Sequence, residues 1–194
     1  DIVEILAIKG GVAVRTKPFP RWPVYGQEER DRLLAVLESG KWWYGENVVE
    51  FERAFAAFQD AKYGVTCTSG TTALELALLA CGVGPGDEVI VPPYTFLATV
   101  SSVLRVNAIP IFADIDLDTC NLNVRDVEHK ITDRTKAIIP VHFAGLVADM
   151  DSLGQLAEMH SLRIIEDACH SWGSQWKGKG TGALGDCGAF SFQL

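Results

Sequence analysis

Basic side chains are in the minority: 17 Lys and Arg face 25 Asp and Glu, a formal net charge of −8 over 194 residues. A surface built to neutralise a phosphate backbone or to sit on anionic lipid needs clustered cations, so neither nucleic acid nor membrane is an expected partner. Also missing is any apolar run near the roughly 20 residues that a membrane helix requires. The opening Asp1-Ile2-Val3-Glu4 lacks the basic stretch of a secretory leader. Cysteine is sparse and odd in number, with five residues (Cys67, Cys81, Cys120, Cys169, Cys187) and no C-x-x-C pair. That removes the usual zinc-sharing spacing. The five read as small buried hydrophobes in a reducing compartment, and a cytoplasmic protein is expected. Internal repeats, linkers and low-complexity stretches are lacking too. With 48% hydrophobic and 22% charged residues, one ordinary globular core is the expectation.

Nucleotide and calcium signatures also fail. There is no P-loop, and Gly82-Val83-Gly84-Pro85-Gly86 departs from G-x-G-x-x-G, with its third glycine one position early and a strand following it. It reads as a turn. Ala113-Asp114-Ile115-Asp116-Leu117-Asp118 imitates a calcium loop, but Thr119 stands where the glycine is required and no glutamate closes it. A solvated turn is expected, and no metal site.

What is present has an order. Residues 1–25 carry Pro18, Pro20 and Pro23 among Phe19, Trp22 and Tyr25, so they read as an extended arm whose aromatics lie against another surface. Leu33, Leu34 and Leu37 predict a short amphipathic helix over 27–38 closed by Gly40, and Phe51, Phe55 and Phe58 predict a second from about Val48. From Gly64, β-branched runs alternate with helical runs, which predicts an α/β fold around a mostly parallel sheet. Strands are expected at 65–67, 88–91, 109–113, 137–140, 162–166 and 188–192, with helices at 72–80, 95–106, 124–131 and 152–160.

Three segments could carry chemistry. Thr68-Ser69-Gly70-Thr71-Thr72 lies where a strand gives way to an apolar helix, so hydroxyls and free N–H groups converge at a helix N-terminus. It reads equally as a phosphate cup or as an ordinary Ser/Thr cap. Ile164-Ile165-Glu166-Asp167-Ala168-Cys169-His170 delivers two carboxylates and an imidazole to a strand's C-terminal end, where ligands of open α/β sheets sit. A carboxylate there wants a cation, and a protonated pyridine nitrogen would serve. The plainer alternative is that Asp167 caps a turn and His170 is a satisfied core histidine. A metal on Asp167, His170 and His142 is the weaker reading, because no pair has ligand spacing on one helix face. Tyr94, after Pro92-Pro93, either stacks on a flat ligand or packs in the core.

Taken in order, Thr68-Ser69-Gly70-Thr71, Gly84-Pro85-Gly86-Asp87-Glu88-Val89-Ile90-Val91-Pro92, Glu166-Asp167-Ala168 and Gly188-Ala189-Phe190-Ser191-Phe192 resemble the DegT/DnrJ/EryC1/StrS family of sugar aminotransferases. Trp22-Pro23, Lys41-Trp42-Trp43 and the run from Val141 to Met150 are similar to two of its branches, the 3-amino-5-hydroxybenzoate synthases and the scyllo-inosose aminotransferases.

The resemblance implies the large domain of a fold-type I, aspartate-aminotransferase-like enzyme over 26–194, after the 1–25 arm, with a smaller C-terminal domain outside these residues. It implies a homodimer and pyridoxal 5'-phosphate (PLP) as cofactor. Amino transfer would run from glutamate or glutamine to a nucleotide-linked keto-sugar or a keto-cyclitol. By position, Ser69, Gly70, Thr71 and Ser191 would hold the phosphate and Tyr94 would stack on the ring. Asp167 would pair with the ring nitrogen and His170 would lie near the phenolic oxygen, these two being the catalytic candidates. The family's Schiff-base lysine is expected about two positions past Leu194, in a longer protein. A histidine there would instead imply a sugar dehydratase, and a PLP-binding partner subunit without catalysis is the third possibility.

Overall fold

A computed structural model describes residues 5–193. Residues 1–4 of the expected arm and Leu194 lie outside the described residues. The chain divides into two compact units, one reaching to Trp43 and the other spanning Tyr44–Gln193.

The first unit holds a 3-10 turn at Ala7–Lys9 and helix α1, Gln27–Ser39. Glu29 reaches back to accept the Gly26 N–H at 2.6 Å, and Gly40 ends the helix at φ 67°, a left-handed value that costs glycine little. The predicted aromatics of the arm, Phe19, Trp22 and Tyr25, are all exposed.

The second unit is the α/β body. Helix α2, Glu46–Phe58, precedes α3, Gly70–Ala80. Then come β1 (Glu88–Val91), α4 (Leu97–Arg105), β2 (Ile109–Phe112), α5 (Val124–Lys130), β3 (Thr135–Ile138), α6 (Met150–His160), β4 (Arg163–Asp167), a small hairpin of β5 (Gln175–Trp176) and β6 (Lys179–Gly180), and β7 (Cys187–Ala189). The main sheet runs β2-β1-β3-β4-β7, and each of its pairings is parallel. The expected mostly parallel sheet flanked by helices is what the fold shows.

Strand alternation sends successive side chains to opposite faces, and each face has its own core. Val89 and Val91 of β1, with Ile165 of β4, pack beneath Leu74, Ala77 and Leu78 of α3 and Val103 of α4. Ile90, Ile138 and Ile164 pack on Val127 of α5 and on Leu153 and Leu156 of α6. With both faces covered, the central strands read as continuous apolar runs, and β1 is buried at all four positions.

Most element boundaries fall within two residues of expectation, with two exceptions. Residues 65–67 pair with no strand among the described residues, and Val65 is exposed. The donors of Thr66 go to a side chain instead, its N–H at 2.7 Å and its hydroxyl at 2.9 Å from Glu52 Oε1. That carboxylate is held below its usual range, first by the Thr66 N–H. The final predicted strand is also shorter, covering only 187–189. Phe190 and Phe192 turn instead onto the aromatic stripe of α2, edge-on to Phe55 at 5.0 and 5.1 Å.

The cysteines are less buried than expected. All five are free thiols, Cys67 exposed and the others partly so. The Asp114–Asp118 string is a turn: Asp116 Oδ1 accepts the N–H groups of Asp118 and Thr119 at 3.0 and 3.1 Å.

Candidate functional site

Strand β4 decides which carboxylate does what. Its register runs one residue later than expected, so Glu166 and Asp167 both lie within the strand and face opposite ways.

Glu166 enters the face beneath α5 and α6 and is fully buried. Its Oε1 accepts the N–H groups of Leu184 and Gly185, both at 2.7 Å. Its Oε2 accepts the Gly182 N–H at 2.7 Å and meets His142 Nε2 at 2.8 Å. His142 Nδ1 already accepts the Ala148 N–H at 3.2 Å, so the ring proton sits on Nε2 and is donated to Glu166. Both ring nitrogens are therefore engaged, and His142 has no lone pair left for the metal set weighed above. Glu166 is a structural acceptor tying β4 to the 182–185 loop.

Asp167 faces α3 and α4 and is 5% exposed. Thr99 donates to its Oδ2 at 2.7 Å, and the Cys169 N–H to its Oδ1 at 3.3 Å. It therefore does bond into a turn, as the plainer reading had it. Among the described residues, however, no cationic side chain pairs with this buried carboxylate.

The 68–72 turn meets the same strand end. Ser69 is the N-cap of α3, its Oγ accepting the Thr72 N–H at 3.2 Å, while the N–H groups of Gly70 and Thr71 open the helix without intrahelical acceptors. A methyl built on Gly70 would stand 2.7 Å from Ser191 Cβ and 3.3 Å from Cys169 Sγ. Glycine alone lets these three segments touch. Burial, with the nearby Asp167 charge, pushes the Cys169 thiol far up, so it is no nucleophile at neutral pH.

An aromatic group completes the edge. Tyr94 lies 4.7 Å from Phe143, and Phe143 lies 6.1 Å from His170, ring centre to ring centre. Phe143 is held by an irregular loop within the 141–150 run, for which the sequence suggested no site role; there Ala144 adopts φ 51° and Asn121 Oδ1 accepts the Phe143 N–H at 3.1 Å. His170 is exposed, not a core histidine, and Tyr94 is half-exposed. Ser69, Gly70, Ser191, Cys169 and Asp167 thus form one contact chain, and Tyr94 and His170 flank a common phenyl ring.

A family model described as the DegT/DnrJ/EryC1/StrS aminotransferase family matches residues 23–194. The chain belongs to that family. Among DegT/DnrJ/EryC1/StrS relatives, an L-glutamine:2-deoxy-scyllo-inosose aminotransferase of Streptomyces lividus is 46% identical, over 99% of this chain and 47% of the relative. A crystal structure of 3-amino-5-hydroxybenzoic acid synthase superposes with a TM-score of 0.87 at 44% identity, over 91% of this chain and 46% of that one. A Streptococcus pneumoniae protein described as a sugar aminotransferase, in its PLP form, gives 0.84 at 36% identity, over 88% and 47%. The chain spans about half the length of the relatives it matches.

Proposed function

We propose that the protein carrying this chain is a PLP-dependent aminotransferase that moves an amino group from glutamate or glutamine to a keto-sugar or keto-cyclitol. The observation that carries this reading is Asp167. A carboxylate 5% exposed, with two hydrogen-bond donors and no cationic partner among the described residues, fits a protonated pyridine nitrogen. Gly70 adds to the fit, because any side chain there would close the contact with Ser191.

PLP, when bound, supplies the electron sink for a carbanion and the carrier for the amino group. The residues of this chain bind and orient it. The N–H groups of Gly70 and Thr71, with the hydroxyls of Ser69, Thr71 and Ser191, would hold the phosphate at the positive end of α3. Asp167 would keep a proton on the ring nitrogen, Tyr94 would cover one ring face, and His170 would hydrogen-bond the phenolic oxygen.

The intact protein is read as an arm, this large domain and a smaller C-terminal domain, working as a cytoplasmic homodimer. The exposed Leu33, Leu34 and Leu37 of α1 and the exposed Trp42 and Trp43 support an apolar partner surface, and the free thiols support a reducing compartment. Among the described residues, no helix is long and apolar enough to cross a membrane.

The test is a half-reaction. Intact protein loaded with PLP is mixed with glutamine or glutamate, and the visible cofactor band is followed. Loss of the band, with release of the matching keto acid, is expected. A spectrum that neither amino acid changes overturns the aminotransferase reading.

A further inference from the structure

We propose that Thr99, backed by Thr95, is a positioning residue that fixes the Asp167 carboxylate toward the cofactor ring; this rests on the cofactor reading above. Thr99 lies in the first turn of α4 and is fully buried. A buried helical threonine ordinarily turns its hydroxyl back onto a carbonyl of the preceding turn. Thr99 instead reaches across to Asp167 Oδ2 at 2.7 Å, 68 residues away in sequence.

The proton order follows from valence. An ionised carboxylate only accepts, so the single Thr99 proton goes to Asp167. Thr99 Oγ1 also meets Thr95 Oγ1 at 2.8 Å, and with its own proton committed it must accept there. The relay therefore runs from Thr95 to Thr99 to Asp167. Thr99 holds one carboxylate oxygen from the α4 side while the Cys169 N–H holds the other from the turn after β4, so rotation of the carboxylate would break a bond at either end. Thr95 directly follows Tyr94, so the turn carrying the proposed stacking ring also anchors the group proposed to face the ring nitrogen. Neither threonine stood out in the sequence, since the pairing spans two distant strand ends.

The experiment compares Thr99→Val, Thr99→Ser, Thr95→Val and Asp167→Asn in the intact protein stripped of cofactor and titrated with PLP. Readouts are tryptophan quenching for Kd and the pH profile of the bound cofactor's absorbance. Valine keeps the shape and removes the donor. We expect Kd to rise about tenfold in Thr99→Val, the ratio that corresponds to one lost hydrogen bond to a charged group. The absorbance profile should shift with it, and Thr99→Ser should restore both. Thr95→Val should move both readouts the same way by a smaller factor, and it supplies the answer if Thr99→Val does not fold. If Asp167→Asn weakens PLP while the threonine variants bind and titrate as the parent does, the positioning role is overturned and the cofactor site stands. If Asp167→Asn also binds PLP unchanged, both fall.

Discussion

Glu166→Gln tests the assignment of β4 side chains to its two faces. The glutamine oxygen can keep only one pair of the four donors that the carboxylate accepts, either Leu184 and Gly185 or Gly182 and His142. The amide nitrogen then points donor against donor at the other pair. Moving the His142 proton to Nδ1 gives no escape, because that nitrogen faces the Ala148 N–H. Each lost bond to a charged acceptor is worth about 1.5–3 kcal/mol. The easier desolvation of a neutral amide offsets part of this, which leaves a loss of about 3 kcal/mol. That is a large share of the roughly 5–15 kcal/mol that holds a typical domain together. At a urea slope of roughly 2 kcal/mol/M, the unfolding midpoint followed by circular dichroism should fall by about 1.5 M. Asp167→Asn, one residue on and on the opposite face, should cost only about 1 kcal/mol, since its two donors are divided between the oxygens, while weakening PLP binding. A midpoint for Glu166→Gln within 0.3 M of the parent, a window of about 0.6 kcal/mol at that slope, would refute the four-donor arrangement.

Two further outcomes follow. The Glu88 carboxyl is held below its ordinary 4.5, first by the Thr132 hydroxyl at 2.5 Å and then by Arg134. A lowered folded-state value means that its stabilisation is complete above the unfolded value and is lost as pH falls through the folded one. Thr132→Val should therefore melt lower than the parent near pH 7, with the gap narrowing below about pH 4.5; thermal melts across that range check it, and a gap that widens on acidification contradicts it. Thiol titration with an aromatic disulfide at neutral pH should label exposed Cys67 first and Cys169 last. Cys81, pushed up to about 12 by burial and then by Cys187, should be slow as well, and labelling that ignores this order would contradict the burial described.

The elements were legible where local chemistry decides them. Apolar spacing located α3, α4 and α6, and Asp149 caps α6 by accepting the Ser152 N–H at 3.1 Å, as its entry residues implied. What stayed hidden depends on partners remote in sequence. The one-residue register of β4 is set by β3 and β7, and only that register reveals that Glu166 and Asp167 part company. The β5–β6 hairpin carries no turn signal strong enough to stand out. Gln59, which is buried, donates to the Thr181 carbonyl at 2.9 Å and accepts the Gly173 N–H at 2.7 Å, a tie that no pattern around residue 59 foreshadows. The proposed site residues themselves were named by motif. Phe143 and Thr99 were missed because their value lies in what they touch.

The contact of Gly70 with Ser191 ties cofactor retention to the pairing of two strands. Ser191 lies just beyond β7, which pairs in parallel with β4 from Ile165 to Asp167. Sliding or parting β7 from β4 would thus separate one wall of the proposed phosphate cup from the segment that carries Asp167. Cofactor retention and amide protection at 187–189 should then rise and fall together, so that bound PLP acts as a clasp across these two strands.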